Sequence, residues 1–253
     1  MPHPTSDSAY GIWSLNEVRD AERGDNWPSP VPTDPNFANV SLLLNGDGTS
    51  GSTSIVDLSN NALSLTIAGN TQIDTAVKKY GTGSIQFDGN ADYIQLPNND
   101  ALSMGTGDFT IEFWVYSEAS GVDGFFRRFV KLANDASSAI QIGHILSGAS
   151  NGGFASYYAS TGIVITGTTD IRNAWHHLAL VRNSGTVTLY VDGTAEGTPI
   201  TDTANKVYND PKIGSYDGTQ GDMQGYIDDL RITKGVARYT TNFTPPTEAL
   251  PTE

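Results

Sequence analysis

An all-β chain folded as a two-sheet antiparallel β-sandwich is what this sequence predicts, and three observations carry the prediction. Residues 174–194, AWHHLALVRNSGTVTLYVDGT, set Trp175, Leu178, Leu180, Val187, Leu189 and Val191 among polar residues in the near period-2 pattern of half-buried strands. Turn residues break those runs: Asn183-Ser184-Gly185 and Asp192-Gly193 supply the positive φ angles that a two-residue hairpin needs. Finally, 27 glycines and frequent Asn, Asp, Ser and Thr suit many short strands joined by tight turns, with little helix.

The elements follow in order. The first strand spans 40–44, an apolar run stopped by Asn45-Gly46-Asp47-Gly48. Short runs at 55–58 and 63–67 come next, the second alternating through Leu63, Leu65 and Ile67. Residues 81–89, GTGSIQFDG, lead into a strand at 93–96. Residues 109–116 place Phe109, Ile111, Phe113 and Val115 on one face and Thr110, Glu112, Trp114 and Tyr116 on the other, so an aromatic-bearing face points away from the core. Further strands are expected at 126–132, 139–146, 154–158 and 163–166, then in the meander of 174–197, and at 207–213 and 225–233. In the last strand Ile227 and Leu230 both read as core-facing although two residues separate them. Such spacing requires a bulge or twist at Asp228-Asp229.

Residues 1–36 have a different character. Pro2, Pro4, Pro28, Pro30, Pro32 and Pro35 keep a chain extended and remove backbone donors. Yet Tyr10, Ile12, Trp13, Leu15 and Trp27 are too apolar for a solvated tail. The expectation is an extended docking arm at 1–36, laid against its own domain or a neighbouring subunit, then one sandwich at 37–247 and a tail at 248–253.

A net charge of −14 repels phosphate backbones and argues against a nucleic-acid partner. The absence of cysteine excludes disulfides and thiolate zinc sites. The first residues lack the basic-then-apolar pattern of a signal peptide, and no apolar run reaches the roughly 18–20 residues of a membrane span. Synthesis in the cytoplasm without membrane insertion is therefore expected.

Seven pieces, in order, carry a family resemblance: 45–48 after the opening strand, the turn 57–61, GTGS leading to FDG at 81–89, DFTIEFWV at 108–115, WHHLA at 175–179, LYVDG at 189–193 and GYIDDLRI at 225–232. Together they resemble the laminin-G-like, concanavalin A-like lectin and glucanase superfamily, which implies a jelly-roll sandwich that binds or cleaves glycans. The closing GVARY at 235–239 and FTPP at 243–246, with the arm, resemble laminin-G-like modules of tailed-bacteriophage virion proteins. That resemblance implies a virion-surface location as a capsid decoration, tail or fibre component. Its implied partners are other virion proteins, further copies of itself in a homo-oligomer such as a trimer, and a host-surface polysaccharide.

Retaining glycoside hydrolysis needs two carboxylates about 5 Å apart, which laminarinase-like relatives carry as Glu-x-Asp-x-x-Glu on one strand. Glu112 and Glu118 are the nearest approach and lack the central Asp, so no catalytic residue is assigned and the chain is read as non-enzymatic. His176 and His177 point to opposite sides of a strand and suit structural roles. Calcium has better-motivated ligands: hard cations take carboxylate and carbonyl oxygens at tight turns, and the resemblance implicates Asp47 and Asp228 in a structural Ca2+ site bridging the first and last strands. Sugar binding calls for exposed aromatics with Asn, Asp and Gln beside them. The candidates are Asn151, Tyr157 and Tyr158 around the loop 147–154, and Tyr208, Tyr216, Asp217 and Gln220. The same tyrosines would serve a subunit interface equally well. Arg127, Arg128 and Lys131 read as a salt-bridged or solvated face. The rival readings are a free carbohydrate-binding module and a divergent glycan hydrolase.

Overall fold

The computed structural model describes residues 33–118, 126–133, 139–146, 153–159 and 162–253. The arm positions Tyr10, Ile12, Trp13, Leu15 and Trp27 lie outside the described residues, as does Asn151. The strands are β1 (Val40–Leu44), β2 (Thr66–Ala68), β3 (Gln72–Asp74), β4 (Ser84–Asp88), β5 (Tyr93–Gln95), β6 (Phe109–Ser117), β7 (Phe126–Ala133) and β8 (Ile140–Leu146). They continue with β9 (Gly153–Ala159), β10 (Gly162–Asp170), β11 (Trp175–Asn183), β12 (Thr186–Val191), β13 (Thr194–Thr201), β14 (Lys212–Ile213) and β15 (Gln224–Lys234). Among the described residues they form two antiparallel sheets. One runs β13-β12-β11-β6-β15-β4-β3 with β1 also on β15, and the other runs β10-β9-β8-β7-β14-β5-β2.

Strand β15 organises the first sheet. One side pairs with β6 along nearly its whole length, while on the other side Gln224–Ile227 meets β4 and Leu230–Thr233 meets β1. The register against β6 slips between Asp228 and Arg231, and Asp229 adopts φ +48°. This is the bulge that the spacing of Ile227 and Leu230 requires, and both side chains are fully buried. The two sheets enclose one core, in which Ile111, Phe113, Leu180, Leu189, Ile227 and Ile232 meet Ile94, Val130, Ile142 and Ile213. Tyr157 belongs to that core.

Both foreseen hairpins form. Ser184 and Gly185 turn β11 into β12 at φ +50° and +80°, and Asp192 and Gly193 turn β12 into β13 at +49° and +76°. Such paired positive angles match the twist of the flanking strands. Gly193 is needed twice over, because a Cβ there would fall 1.9 Å from the Phe243 carbonyl oxygen, whose own N–H donates to Gly193 O at 2.9 Å. Gly193→Ala should therefore lower stability by roughly 2 kcal/mol or more, measured as a shifted urea midpoint; an unchanged midpoint would refute this role.

Two sequence expectations are corrected, and one strand was missed. Residues 55–58 form no strand, because the Asp57 carboxylate, rather than a ladder partner, accepts the N–H groups of Leu43, Ser59 and Leu63. The strand expected at 207–213 shrinks to β14, since Asp210 sits at φ +52° and Pro211 has no N–H to give. Strand β3 was not foreseen, as three residues with one apolar side chain carry no readable period.

The outward face of β6 is covered over Thr110, Glu112 and Trp114, and only Tyr116 stays half-exposed. Lys79 places its ammonium 3.8 Å above the Trp114 ring, and Tyr80 meets that ring edge-on. Tyr239 and Phe243 of the closing segment stack on each other at 3.5 Å and pack against His177. Residues at the borders of the sandwich are tied in as well: Leu250 is buried with Val40 and Leu43, and Asp34 N–H donates to Glu253 O.

Candidate functional site

The outward face of the second sheet gathers most of the sequence-nominated residues that are described. On β5, Ile94 turns into the core and is fully buried, leaving Gln95 half-buried on the opposite side; on β14, Ile213 is in the core and Lys212 has the opposite parity but is buried too, as are Lys131 and Gln141. Cross-strand register then aligns Gln95, Lys212, Lys131, Gln141 and Tyr158 across five strands. Two neighbouring lysines would repel each other. Asp210, held in its left-handed turn, resolves this by accepting from Lys131 Nζ at 3.0 Å and from Lys212 Nζ as well. Burial alone would push the Asp210 carboxyl up, but the two lysines hold it below the ordinary range. Burial lowers the Lys131 ammonium, and Asp210 acts against that shift.

The loop after β14 is built to hold its shape. Ser215 Oγ donates to Asp222 Oδ1 and accepts from Gly218 N–H, while Asp217 Oδ1 accepts from the N–H groups of Thr219 and Gln220. Those donors keep the Asp217 carboxyl low. Gly218, at φ +91°, lies so close to Tyr93 that a Cβ would come within 2.8 Å of its ring. The loop thus displays Tyr216, Asp217 and Gln220 on a fixed frame, with the Arg128 guanidinium 4.4 Å and Lys131 Nζ 5.3 Å from the Tyr216 ring. On the other side of Asp210 opens a groove of about 520 Å³, walled by Gln95, Pro97, Asn98, Tyr208 and Asn209 together with Asp210 itself.

Tyr216, Asp217 and Gln220 therefore lie together, with Tyr216 linked to Asp210 through Lys131, and Tyr208 lines the groove beside Asp210 while packing partly against the core. Tyr157 does not join them: it is 0 % exposed, its hydroxyl reaches Asp202 and the Ala139 carbonyl, and burial raises its pKa. The expectation that it contacts a ligand is corrected, because its strand parity turns it inward. Tyr158 pairs by backbone register with Gln141 of the neighbouring strand. Sequence reasoning missed Gln95, Gln141, Asp210 and Lys212. The parity of Gln95 against Ile94 was a readable signal, whereas the pairing of the four was not.

The would-be hydrolytic carboxylate is a structural ion. Glu112 is 0 % exposed; Arg231 Nε and Nη2 donate to its Oε1 at 3.0 and 2.8 Å, and Tyr239 donates to its Oε2 at 2.7 Å. Burial favours the acid, but Arg231 and His177 win and hold it at about 2. Arg231 and Arg238 also grip Asp34. Glu118 lies beyond the end of β6, with its N–H donating to the Gln224 carbonyl, and Glu112 is already committed to Arg231, so the two form no acid–base pair. His177 is buried against Trp114 and Phe243, while His176 pairs with Asp192 at 2.7 Å.

Asp47 and Asp228 grip the same loop: Asp228 Oδ2 accepts from Lys79 and Tyr80 N–H, and Asp47 Oδ1 accepts from the hydroxyl and N–H of Thr82. Oδ1 of Asp228 and Oδ1 of Asp229 are buried without hydrogen-bond partners. Desolvation first, and then the charge of Asp47, push Asp228 up to about 6; desolvation, then the charges of Asp228 and Asp47, push Asp229 up to about 8. Among the described residues no three acidic or histidine side chains form a metal cage. A hard cation here would instead rest on Asp47 and Asp228, with backbone or water oxygens completing its shell. The partnerless Asp228 oxygen and the uncompensated charge fit such an ion.

Comparison with known structures returns the same fold. The binding domain of Paraclostridial Mosquitocidal Protein 1 aligns with TM-score 0.59 and 19% identity over 79% of this chain and 50% of that one. Domain 4 of AbnA, an extracellular arabinanase of Geobacillus stearothermophilus solved in complex with arabinotriose, aligns with TM-score 0.57 and 18% identity over 79% and 94%. A botulinum neurotoxin type C structure, whose cell entry is described as dependent on two ganglioside molecules, aligns with TM-score 0.58 and 14% identity over 79% and 49%. The chain thus spans about half the length of the two toxin chains. No curated protein sequence matches it. Residues 88–238 match the laminin G profile described as the Concanavalin A-like lectin/glucanases superfamily. That match covers more than half of the sequence, and with the sandwich described above it makes the chain a member of the Concanavalin A-like lectin/glucanases superfamily.

Proposed function

We propose that the chain is a non-catalytic carbohydrate-binding domain whose ligand lies on the outward face of the seven-stranded sheet, between Tyr208 and Tyr216. The observation that carries this reading is the combination of that groove with a rigid loop displaying Tyr216, Asp217 and Gln220, set over a polar row whose lysines and Gln141 are buried and serve as its support. Tyrosine rings offer an apolar surface with a polar tip, which suits the C–H faces of sugars, while amides and carboxylates suit their hydroxyls. Asp210 neutralises much of the lysine charge, so the face does not depend on an anionic ligand. The arabinotriose complex of the AbnA domain supports the class of ligand.

A glycan array probed with the full chain tests the reading. Binding to a defined saccharide is expected, weakened about tenfold or more by Tyr208→Ala or by Asp217→Ala with Gln220→Ala. A blank array, or variants that bind like the parent chain, would overturn it.

A second reading places the domain on a phage particle, fastened by residues 1–36. Its support is the resemblance of 235–246 and of the arm; the similar structures above are toxin and arabinanase domains. Co-sedimentation with particles should be lost on deleting residues 1–30 and kept by the full chain. Retention by the truncated chain would refute anchoring through the arm. Calcium at Asp47 and Asp228 belongs to this proposal as a structural ion, away from the groove.

A further inference from the structure

The opposite sheet carries a second in-register row on its outward face. Gln72 of β3 lies opposite Gln86 of β4, which lies opposite Tyr226 of β15; Tyr226 lies opposite Tyr116 of β6, and Tyr116 opposite Trp175 of β11. The sequence pattern had grouped Trp175 with the core residues Leu178 and Leu180, but its parity is odd relative to theirs and turns it outward. The five side chains are coupled from end to end. Gln72 Nε2 donates to Gln86 Oε1 at 3.0 Å, and Gln86 Nε2 donates to the Tyr226 hydroxyl at 3.4 Å. Tyr226 and Tyr116 then meet edge-on at 6.0 Å, and Tyr116 and Trp175 at 5.8 Å. Tyr226 is buried between its neighbours, while Gln72, Gln86, Tyr116 and Trp175 stay half-exposed.

At the amide end the row opens into a groove of about 420 Å³ whose floor is Gln72 and Gln86 and whose wall is the Asn70–Asp88 pair, bonded at 2.9 Å. With strands roughly 4.8 Å apart, four intervals make a strip of roughly 19 Å, the length of several linked sugar rings. Carboxylates border it: Asp88 in the groove wall, and Asp74 and Glu118 close enough to Tyr226 to oppose ionisation of its hydroxyl. An anionic polymer would be repelled there, and phosphate or sulfate groups would find no cation among the row's own residues.

We infer that this strip is a second carbohydrate site, for an extended uncharged polysaccharide chain lying across β3, β4, β15, β6 and β11, with amides at one end and stacked aromatics at the other. The inference rests on the reading of the domain as a carbohydrate binder but not on the groove of the other sheet. One chain would then hold glycan on both of its faces, so that the domain cross-links or grips a polysaccharide at two points and gains avidity from their linkage.

Affinity electrophoresis of the full chain through gels containing neutral polysaccharides, with calorimetry on neutral oligosaccharides of increasing length, tests it. Retardation and affinity that rise with chain length are expected. Gln72→Ala with Gln86→Ala, which leaves the aromatic rings in place, should weaken long-chain binding about tenfold, as should Trp175→Ala, with thermal melts confirming the fold of each. The groove variant Tyr208→Ala should keep this length-dependent component. If the strip variants bind every polysaccharide like the parent while Tyr208→Ala loses binding, the strip is refuted and the groove reading stands. If Tyr208→Ala has no effect and the strip variants lose binding, the groove reading fails and the strip stands. Concentration-dependent self-association abolished by the strip variants, without any effect on polysaccharide retention, would make the row a protein interface and overturn the inference.

Discussion

Arg231→Ala should lower the stability of the domain by about 3–5 kcal/mol, the loss that follows when one partner of a buried ion pair is removed and its counter-charge stays behind. Arg231 is 5% exposed and is shared by Glu112, 0% exposed, and Asp34, 8% exposed; its removal takes the paired charge from Glu112, leaving the Tyr239 hydroxyl and His177 on the other oxygen, and loosens the tether of Asp34. Domains of this kind are stable by only about 5–15 kcal/mol, so the variant should approach the unfolding threshold. A double replacement, Arg231→Met with Glu112→Leu, should recover much of the loss, because apolar groups of similar volume leave no charge unpaired. Urea unfolding at neutral pH measures both. Equal destabilisation by the single and double variants would show that packing, and not charge, is what the pair supplies. The pair also sets an acid limit. The Glu112 carboxyl is held at about 2 against an ordinary 4.5, so its stabilising contribution is complete above the ordinary value and disappears as pH falls through about 2.

The second large effect runs the other way along the pH scale. Asp228 and Asp229 titrate at about 6 and about 8 in the folded chain, against 3.8 for an ordinary aspartate. The folded state therefore holds more protons than the unfolded one between those values. The favourable contribution is fully present below about 3.8 and is lost as pH rises through 6 and then 8. In chelator, the melting temperature should fall from pH 5 to pH 8.5. Excess calcium should restore it at pH 8.5 and do little at pH 5, where protons already neutralise the pair. Asp228→Asn should abolish the calcium response, and Asp229→Asn should flatten the chelator slope. A melting temperature independent of both pH and calcium would refute the account of this cluster.

Much of the fold was legible because the physics that sets it is local. The parity of 109–116 and the Asp-Gly and Ser-Gly turns mark strands and their ends whatever packs against them. Even the bulge was readable, since Ile227 and Leu230 cannot both face one way on a regular strand. The expected strand at 55–58 shows the limit: its pattern is apolar enough, but Asp57 offers the backbone of β1 a side-chain acceptor, and that competition depends on what lies opposite. The candidate site was legible only by residue type. Tyr208, Tyr216, Asp217 and Gln220 were recognisable as sugar-contacting chemistry, whereas Tyr157 looked equivalent and faces the core. Asp210 and the amide rows escaped because register across strands distant in sequence decides them.

The hydrogen bond from Asp34 N–H to the Glu253 carbonyl has a mechanical consequence. Residue 34 also grips Arg231 and Arg238 on the outward side of the eight-stranded sheet, so the chain enters and leaves the sandwich at one patch. A tether attached before residue 33 and one attached after residue 253 would load the same spot, and tension between them would bypass the strands in between. A domain hung from that patch turns the groove of Tyr208 and Tyr216 away from its support. The Gln72-to-Trp175 strip is left on the supported side, where a polysaccharide would reach it by running along the surface that carries the domain.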